Sequence, residues 1–320
     1  MKRYITTAVY LSVLLAHGAG AQDTGYVYKP KQQPVVNDDS FRSPHCNQPK
    51  TLDQLLGEKV VFVAKAKKFH RYGYSSFHWT STRSASVPYD ALVGKVGTVT
   101  EIQPRSTSAL NFRRVIIRLD ESGESVITNA LDDSISDVTL LADIEEGRKR
   151  WVGKTLWYKS KYLRPSTDAE IQEWREVRKF QPVTVAAVMV GADLRGAIDF
   201  VLQFRDGQEG LAGVNLSASN TDPKFIETLK KLGRKECSFD AYFFTEDPRL
   251  THKWPADVWA AIENDQVLVG MTVDQVILTW GEPESVNNTR TGMSDSSQWV
   301  YGENRYVYVD GSGKVTAIQQ

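Results

Sequence analysis

The chain has 320 residues, with 39 basic and 39 acidic side chains and a formal charge of zero. That balance excludes a long-range electrostatic pull toward nucleic acid or anionic lipid. The hydrophobic share of 41 % is ordinary for a globular fold, and the length predicts two or three domains.

Met1-Lys2-Arg3 precede a mostly apolar stretch from Ala8 to Leu15, and Ala19-Gly20-Ala21 follows. A basic start, a short apolar run and an A-x-A end predict a signal peptide over residues 1–21. The run is too short to cross a hydrocarbon layer of about 30 Å. No later segment is long and apolar enough to span, so no transmembrane segment is expected after cleavage. Removing Lys2 and Arg3 from the 39 basic residues leaves 37 against 39 acidic ones, a net charge of −2. A periplasmic or secreted protein is expected.

Residues 22–50 carry Pro30, Pro34, Pro44 and Pro49 with little periodicity. They read as an extended N-terminal arm, with order starting near Leu52. The two cysteines of the chain are Cys46 and Cys237. Export places them where disulfides persist, so a bridge is expected, with two buried free thiols as the alternative.

An internal repeat follows. Leu55 to Lys65 matches Trp151 to Lys161: in both, a Gly-centred turn opens a strand that closes on Lys. Val115 to Gly123 matches Ile198 to Gly207, each a strand ending in an acidic-plus-Gly hairpin signal. Between them lie Gly94-Lys95-Val96-Gly97-Thr98-Val99-Thr100 and Gln181-Pro182-Val183-Thr184-Val185-Ala186. Three β blocks in one order predict two small repeated β-barrel-like domains, residues 51–146 and 147–236. The Gly94 to Val99 block resembles the start of a strand in an SH3-like barrel. In the second copy, Thr167-Asp168-Ala169-Glu170 predicts a capped helix, and a second helix runs from Asp222-Pro223 to Gly233. Both are expected to pack on a sheet.

Residues 250–320 read as an α+β domain. Trp254-Pro255 opens a helix over Ala256 to Glu263, with Val258, Trp259 and Ile262 on one face. Thr272-Val273-Asp274-Gln275 is a capping box, and Gly281 with Pro283 stops the helix behind it. Strands follow at Gln298 to Tyr301, Asn304 to Asp310 and Lys314 to Gln319, with Asp310-Gly311 as a turn. The prediction is a helix pair on a three-stranded antiparallel sheet, and the whole chain is mainly β with α+β. Gly270-Met271-Thr272 with Gln275-Val276, the Gly281/Pro283 stop, Trp299-x-Tyr301 and Asp310-Gly311, in this order, resemble the BamE family (also called SmpA/OmlA). The resemblance implies non-catalytic protein binding in the bacterial cell envelope and transfers no active site. Family members are typically lipoproteins with Cys as the first mature residue. Here position 22 is Gln, so a soluble exported protein is expected. Trp280 and Trp299 are expected in the core.

No nucleophile elbow, P-loop or dinucleotide fingerprint is present. His45, His70, His78 and His252 lack the close partners of a metal site, and no metal or cofactor is expected. Cys237 with His252, fifteen residues on, is the best pair for a hydrolase, though a disulfide explains Cys237 more simply. The densest candidate surface is Phe69 to Trp79, with Phe69, Tyr72, Tyr74, Phe77, His78 and Trp79 as partner-binding candidates. An ordinary hairpin whose aromatics pack on the barrel competes with that reading. The sequence therefore predicts a non-enzymatic binding protein of the envelope. Its partner would be an envelope protein or, alternatively, a cell-wall component such as peptidoglycan, and not nucleic acid.

Overall fold

A computed structural model describes residues 43–82, 86–103, 112–166, 173–193, 196–221, 226–227, 235, 237–291, 294–302 and 304–320. The predicted signal peptide, most of the arm, the Thr167 capping box and most of the Asp222 to Gly233 helix lie outside these residues. The fold is mainly β, with smaller helical parts.

The first half contains β1 (Lys59–Phe62), β2 (Tyr74–Trp79), β3 (Ser86–Val87), β4 (Val96–Ile102), β5 (Phe112–Leu119), β6 (Ser125–Leu131) and β7 (Val138–Leu140). They form one antiparallel sheet in the order β3-β2-β6-β5-β4-β1-β7. The period of two decides its faces. Val115, Ile117 and Leu119 point inward from β5, and Val126, Thr128 and Ala130 do so from β6.

The second half holds β8 (Thr155–Tyr158), a small ribbon of β9 (Tyr162–Leu163) and β10 (Arg175–Glu176), then β11 (Pro182–Asp193), β12 (Gly196–Phe204), β13 (Glu209–Val214) and β14 (Phe243–Phe244). Its main sheet runs β13-β12-β11-β8-β14, the same order as β6-β5-β4-β1-β7. The match extends to single hydrogen bonds. Gly57 N–H donates to Val99 O (2.8 Å) and Val99 N–H to Glu58 O (3.0 Å); Gly153 N–H donates to Val185 O (2.9 Å) and Val185 N–H to Lys154 O (3.0 Å). Gly94 N–H reaches Phe62 O as Phe180 N–H reaches Tyr158 O, and both residues have positive φ, +70° and +56°. Glycine accepts that conformation without strain, whereas phenylalanine does not.

Between the sheets runs a helix, Leu141–Trp151, that the sequence reading lacked. Asp143 lies in its first turn and Arg148, Lys149 and Arg150 in its last, the polarity that suits the helix dipole. Ile144, Gly147 and Trp151 face inward. At Gly147 a Cβ would lie 2.7 Å from Leu216 Cδ1, so the helix packs closely because this residue lacks a side chain.

In the C-terminal domain, helix Ala256–Glu263 follows Pro255, and Gln275 Oε1 accepts the Thr272 N–H (2.8 Å) at the start of helix Val273–Trp280. Gly281, at φ +84°, ends it. The three predicted strands are present as β16 (Ser294–Tyr301), β17 (Arg305–Asp310) and β18 (Val315–Gln319), and a fourth, β15 (Ser285–Thr291), pairs on the β16 edge. Its polar Asn287-Asn288-Thr289 stretch offers no apolar alternation, which hid it from a pattern reading. Trp299 is buried in this core, but Trp280 is only half-buried.

Order begins before Leu52. Ser43 and Cys46 are buried, and Asn47 N–H donates to Leu216 O (2.6 Å). Cys46 and Cys237 form a disulfide, with Cα atoms 5.9 Å apart. Three apolar cores result, one beside each of the three larger sheets. Phe180 leaves the second half and fills the C-terminal core, its ring edge-on to Trp259 at 5.9 Å.

Candidate functional site

A cleft of about 1730 Å³ is lined by the β6–β7 connection and β7, by the second half and by the C-terminal domain. Its walls include Lys159 and Lys161 from the β8–β9 turn, Asp240, Trp254, and Asp274 and Trp280 from the last helix. Concave sites that mix aromatic walls with a few polar groups are the usual places for ligands.

One wall is built around Lys159. Its ammonium donates to Asp240 O and sits 3.7 Å from the centre of the Phe244 ring. Burial pushes its pKa down to about 8, against a weaker opposing pull from Asp240. The Asp240 carboxylate faces away toward His45, with Oδ1 2.7 Å from His45 Nδ1, and the His45 ring lies against Phe239 and Trp151.

A second cluster joins the second half to the C-terminal domain. Lys179, a buried residue, donates to Thr279 O (2.9 Å) and pairs with Asp265. Lys161 approaches the other oxygen of Asp265 at 3.7 Å, and Trp280 Nε1–H donates to Asp265 O (2.8 Å). The floor carries buried Asp143, which accepts from Asn47 (2.9 Å) and Ser217 (2.5 Å). Burial raises its pKa, and those two hydrogen bonds oppose the rise. The arm, the first helix and the second sheet thus meet beneath the cleft.

The predicted hydrolase pair is not assembled. Cys237 and His252 both line the cleft, but the Cys237 sulfur is bonded to Cys46 and the His252 ring stacks on Trp254 at 4.4 Å. A disulfide sulfur is no thiolate nucleophile. Among the described residues no group of three His, Cys, Asp or Glu is placed to hold a metal ion, and no helix is long and apolar enough to cross a membrane.

The aromatic segment divides. Tyr74 and Phe77 are fully buried, which corrects their reading as partner contacts. Phe62, Tyr74 and Phe77 pack edge to face, and the Tyr74 hydroxyl donates to Val63 O (2.6 Å). A regular strand would turn residues three apart to opposite faces; the irregular β2–β3 register between Tyr74 and His78 lets both rings enter the core. His78 and Trp79 are half-buried on the same strand. Phe69 and Tyr72 lie on a preceding 3₁₀ helix, Lys67–Tyr72, and are about half exposed.

Sequence reasoning missed the cleft residues Lys159, Lys179, Asp240 and Asp265. Their signal was slight: Lys159 falls inside the second repeat block without marking its end, and Lys179, Asp240 and Asp265 fall in no motif. The fold defines a mainly β scaffold of two like sheets with an α+β domain closing a cleft. No family model matches this chain, nor does any curated protein or solved structure. The BamE-like and SH3-like resemblances therefore stand on the sequence patterns quoted above.

Proposed function

We propose that this chain is an exported, non-catalytic binding protein of the bacterial cell envelope that engages a protein partner. Its BamE-like domain and its second β domain take part together, through this cleft. The observation that carries this reading is the cleft itself. Both domains line it, and its lining includes the exposed acids Asp274 and Glu282 and the cations Lys161 and Lys235. Aromatic walls with a rim of both charge signs suit a polypeptide better than a uniformly charged polymer. The disulfide adds support for export, because such bonds persist in oxidising compartments.

In-situ crosslinking with mass spectrometry in the native envelope tests the reading. The parent protein is expected to crosslink reproducibly to a defined envelope protein through cleft-rim residues. The Asp274→Arg/Glu282→Arg variant, changed only at exposed positions, is expected to lose that crosslink by about tenfold, the equivalent of about 1.4 kcal/mol for reversed rim charges. Retention of both proteins on purified cell wall, with no protein crosslink, would replace the proposal with the peptidoglycan reading.

A further inference from the structure

Remote from the cleft, the 3₁₀ helix Lys67–Tyr72 carries the sequence Lys-Lys-Phe-His-Arg-Tyr. A 3₁₀ helix has three residues per turn, so residues three apart lie in one row. The rows here are chemically distinct. Lys67 and His70 form the first, and His70 turns inward: its ring stacks on Tyr89 at 3.7 Å and Nε2 lies 2.7 Å from Lys65 O. Lys68 and Arg71 form a cationic row. Phe69 and Tyr72 form an aromatic row, 48 % and 53 % exposed. The two outer rows fold together, with Lys68 Nζ 5.4 Å from the Phe69 ring centre and Arg71 Cζ 4.6 Å from that of Tyr72. No acidic residue lies in the helix.

The element is held firmly beneath. Lys65 Nζ donates to Gly73 O (3.1 Å) and Asp137 (2.6 Å), and Tyr74, next in the chain, is a core anchor. The cleft does not reach these residues. A protruding face of paired aromatics and cations cannot enclose a small molecule; it complements a broad anionic surface. Aromatic rings favour the boundary between headgroups and acyl chains, while Lys and Arg reach the phosphates. Zero net charge removes long-range steering but not this contact, because screening confines it to about 8 Å in any case.

We propose that the Lys67–Tyr72 helix docks the protein on the surface of an anionic phospholipid bilayer. The proposal is independent of the cleft, and different variants test the two. The measurement is co-sedimentation of the full chain with vesicles of phosphatidylcholine alone or mixed equally with phosphatidylserine. Binding is expected to the mixed vesicles only and to weaken as salt is raised. Lys68→Gln/Arg71→Gln is expected to lower partitioning about thirtyfold, from roughly fivefold per cation. Phe69→Ser/Tyr72→Ser is expected to lower it about tenfold. Equal thermal unfolding midpoints in parent and variants establish that the changes leave the fold intact. Absence of binding to mixed vesicles, equal binding to both vesicle types, or parent-like binding by both double variants overturns the proposal. So does retention on an anionic polysaccharide or a protein with no affinity for the mixed vesicles.

Discussion

Lys159 and Phe180 are ordinary letters in the sequence, and each is made unusual by where the chain puts it. The Lys159 amine is held among Asp240 O, the Phe244 ring and the cleft wall. Its pKa near 8 in the fold lies below the ordinary 10.5. Folding therefore favours the neutral amine. The stability gained is fully present above about pH 10.5, where the unfolded amine is neutral too, and is lost as pH falls through 8. The full span is about 3 kcal/mol. Lys159→Met removes the penalty along with one hydrogen bond of about 1 kcal/mol. The variant is expected to exceed the parent by about 2 kcal/mol at pH 7, with the difference shrinking toward pH 10. Paired urea titrations check this, and a difference that does not vary with pH would contradict it. Phe180 occupies the left-handed conformation that Gly94 occupies in the first half. Its strain of about 1–3 kcal/mol is offset by burial in the C-terminal core.

At the scale of elements, the repeat was legible because Gly57 and Gly153 open matching strands, and the same backbone hydrogen bonds follow each. The Gly-Pro stop after Trp280 was legible for the same reason: a local conformational demand leaves a residue type behind. Helix Leu141–Trp151 was not, because Gly147 interrupts the apolar row where close packing needs it. Strand β2 misled a reading of its aromatics, since density of rings says nothing about which side they face. Gly73 ends the Lys67–Tyr72 helix at φ +56°, and a Cβ there would lie 2.3 Å from Val87 O. Gly73→Ala is expected to cost about 2–4 kcal/mol, from backbone strain and this clash. Chemical denaturation reads the loss, and a parent-like midpoint would show that the turn relaxes freely.

Across the whole molecule, the strongest single constraint is the Cys46–Cys237 bond, which spans 191 residues. Chain entropy puts the stabilisation from a loop that long at about 5 kcal/mol as an upper figure. The Cys46→Ser/Cys237→Ser variant is expected to lose about 3–5 kcal/mol, measured by urea unfolding against the parent with and without reductant. Reduction of the parent should reproduce the variant's midpoint. The bond holds residues 43–50 beside Asp143 and Leu216, which is why order begins earlier than the proline-bearing arm suggested. Lys179, Phe180 and Arg249 tie the C-terminal domain to the second sheet: Arg249 pairs with Glu263 and donates to Phe180 O (3.2 Å).

By itself the sequence determined what depends on neighbours along the chain: the mainly β class, the doubled strand pattern, the C-terminal helix pair and its strands. Turn glycines, capping residues and the period of two act over a few residues, so their signals are local. Only the tertiary structure decided which aromatics of Phe69 to Trp79 are exposed, that Cys237 is bonded rather than free, and that Lys159, Lys179, Asp240 and Asp265 surround one cleft. Those residues are brought together across separations of up to about a hundred positions. Burial and proximity at that range follow from packing, and no short stretch of sequence records them.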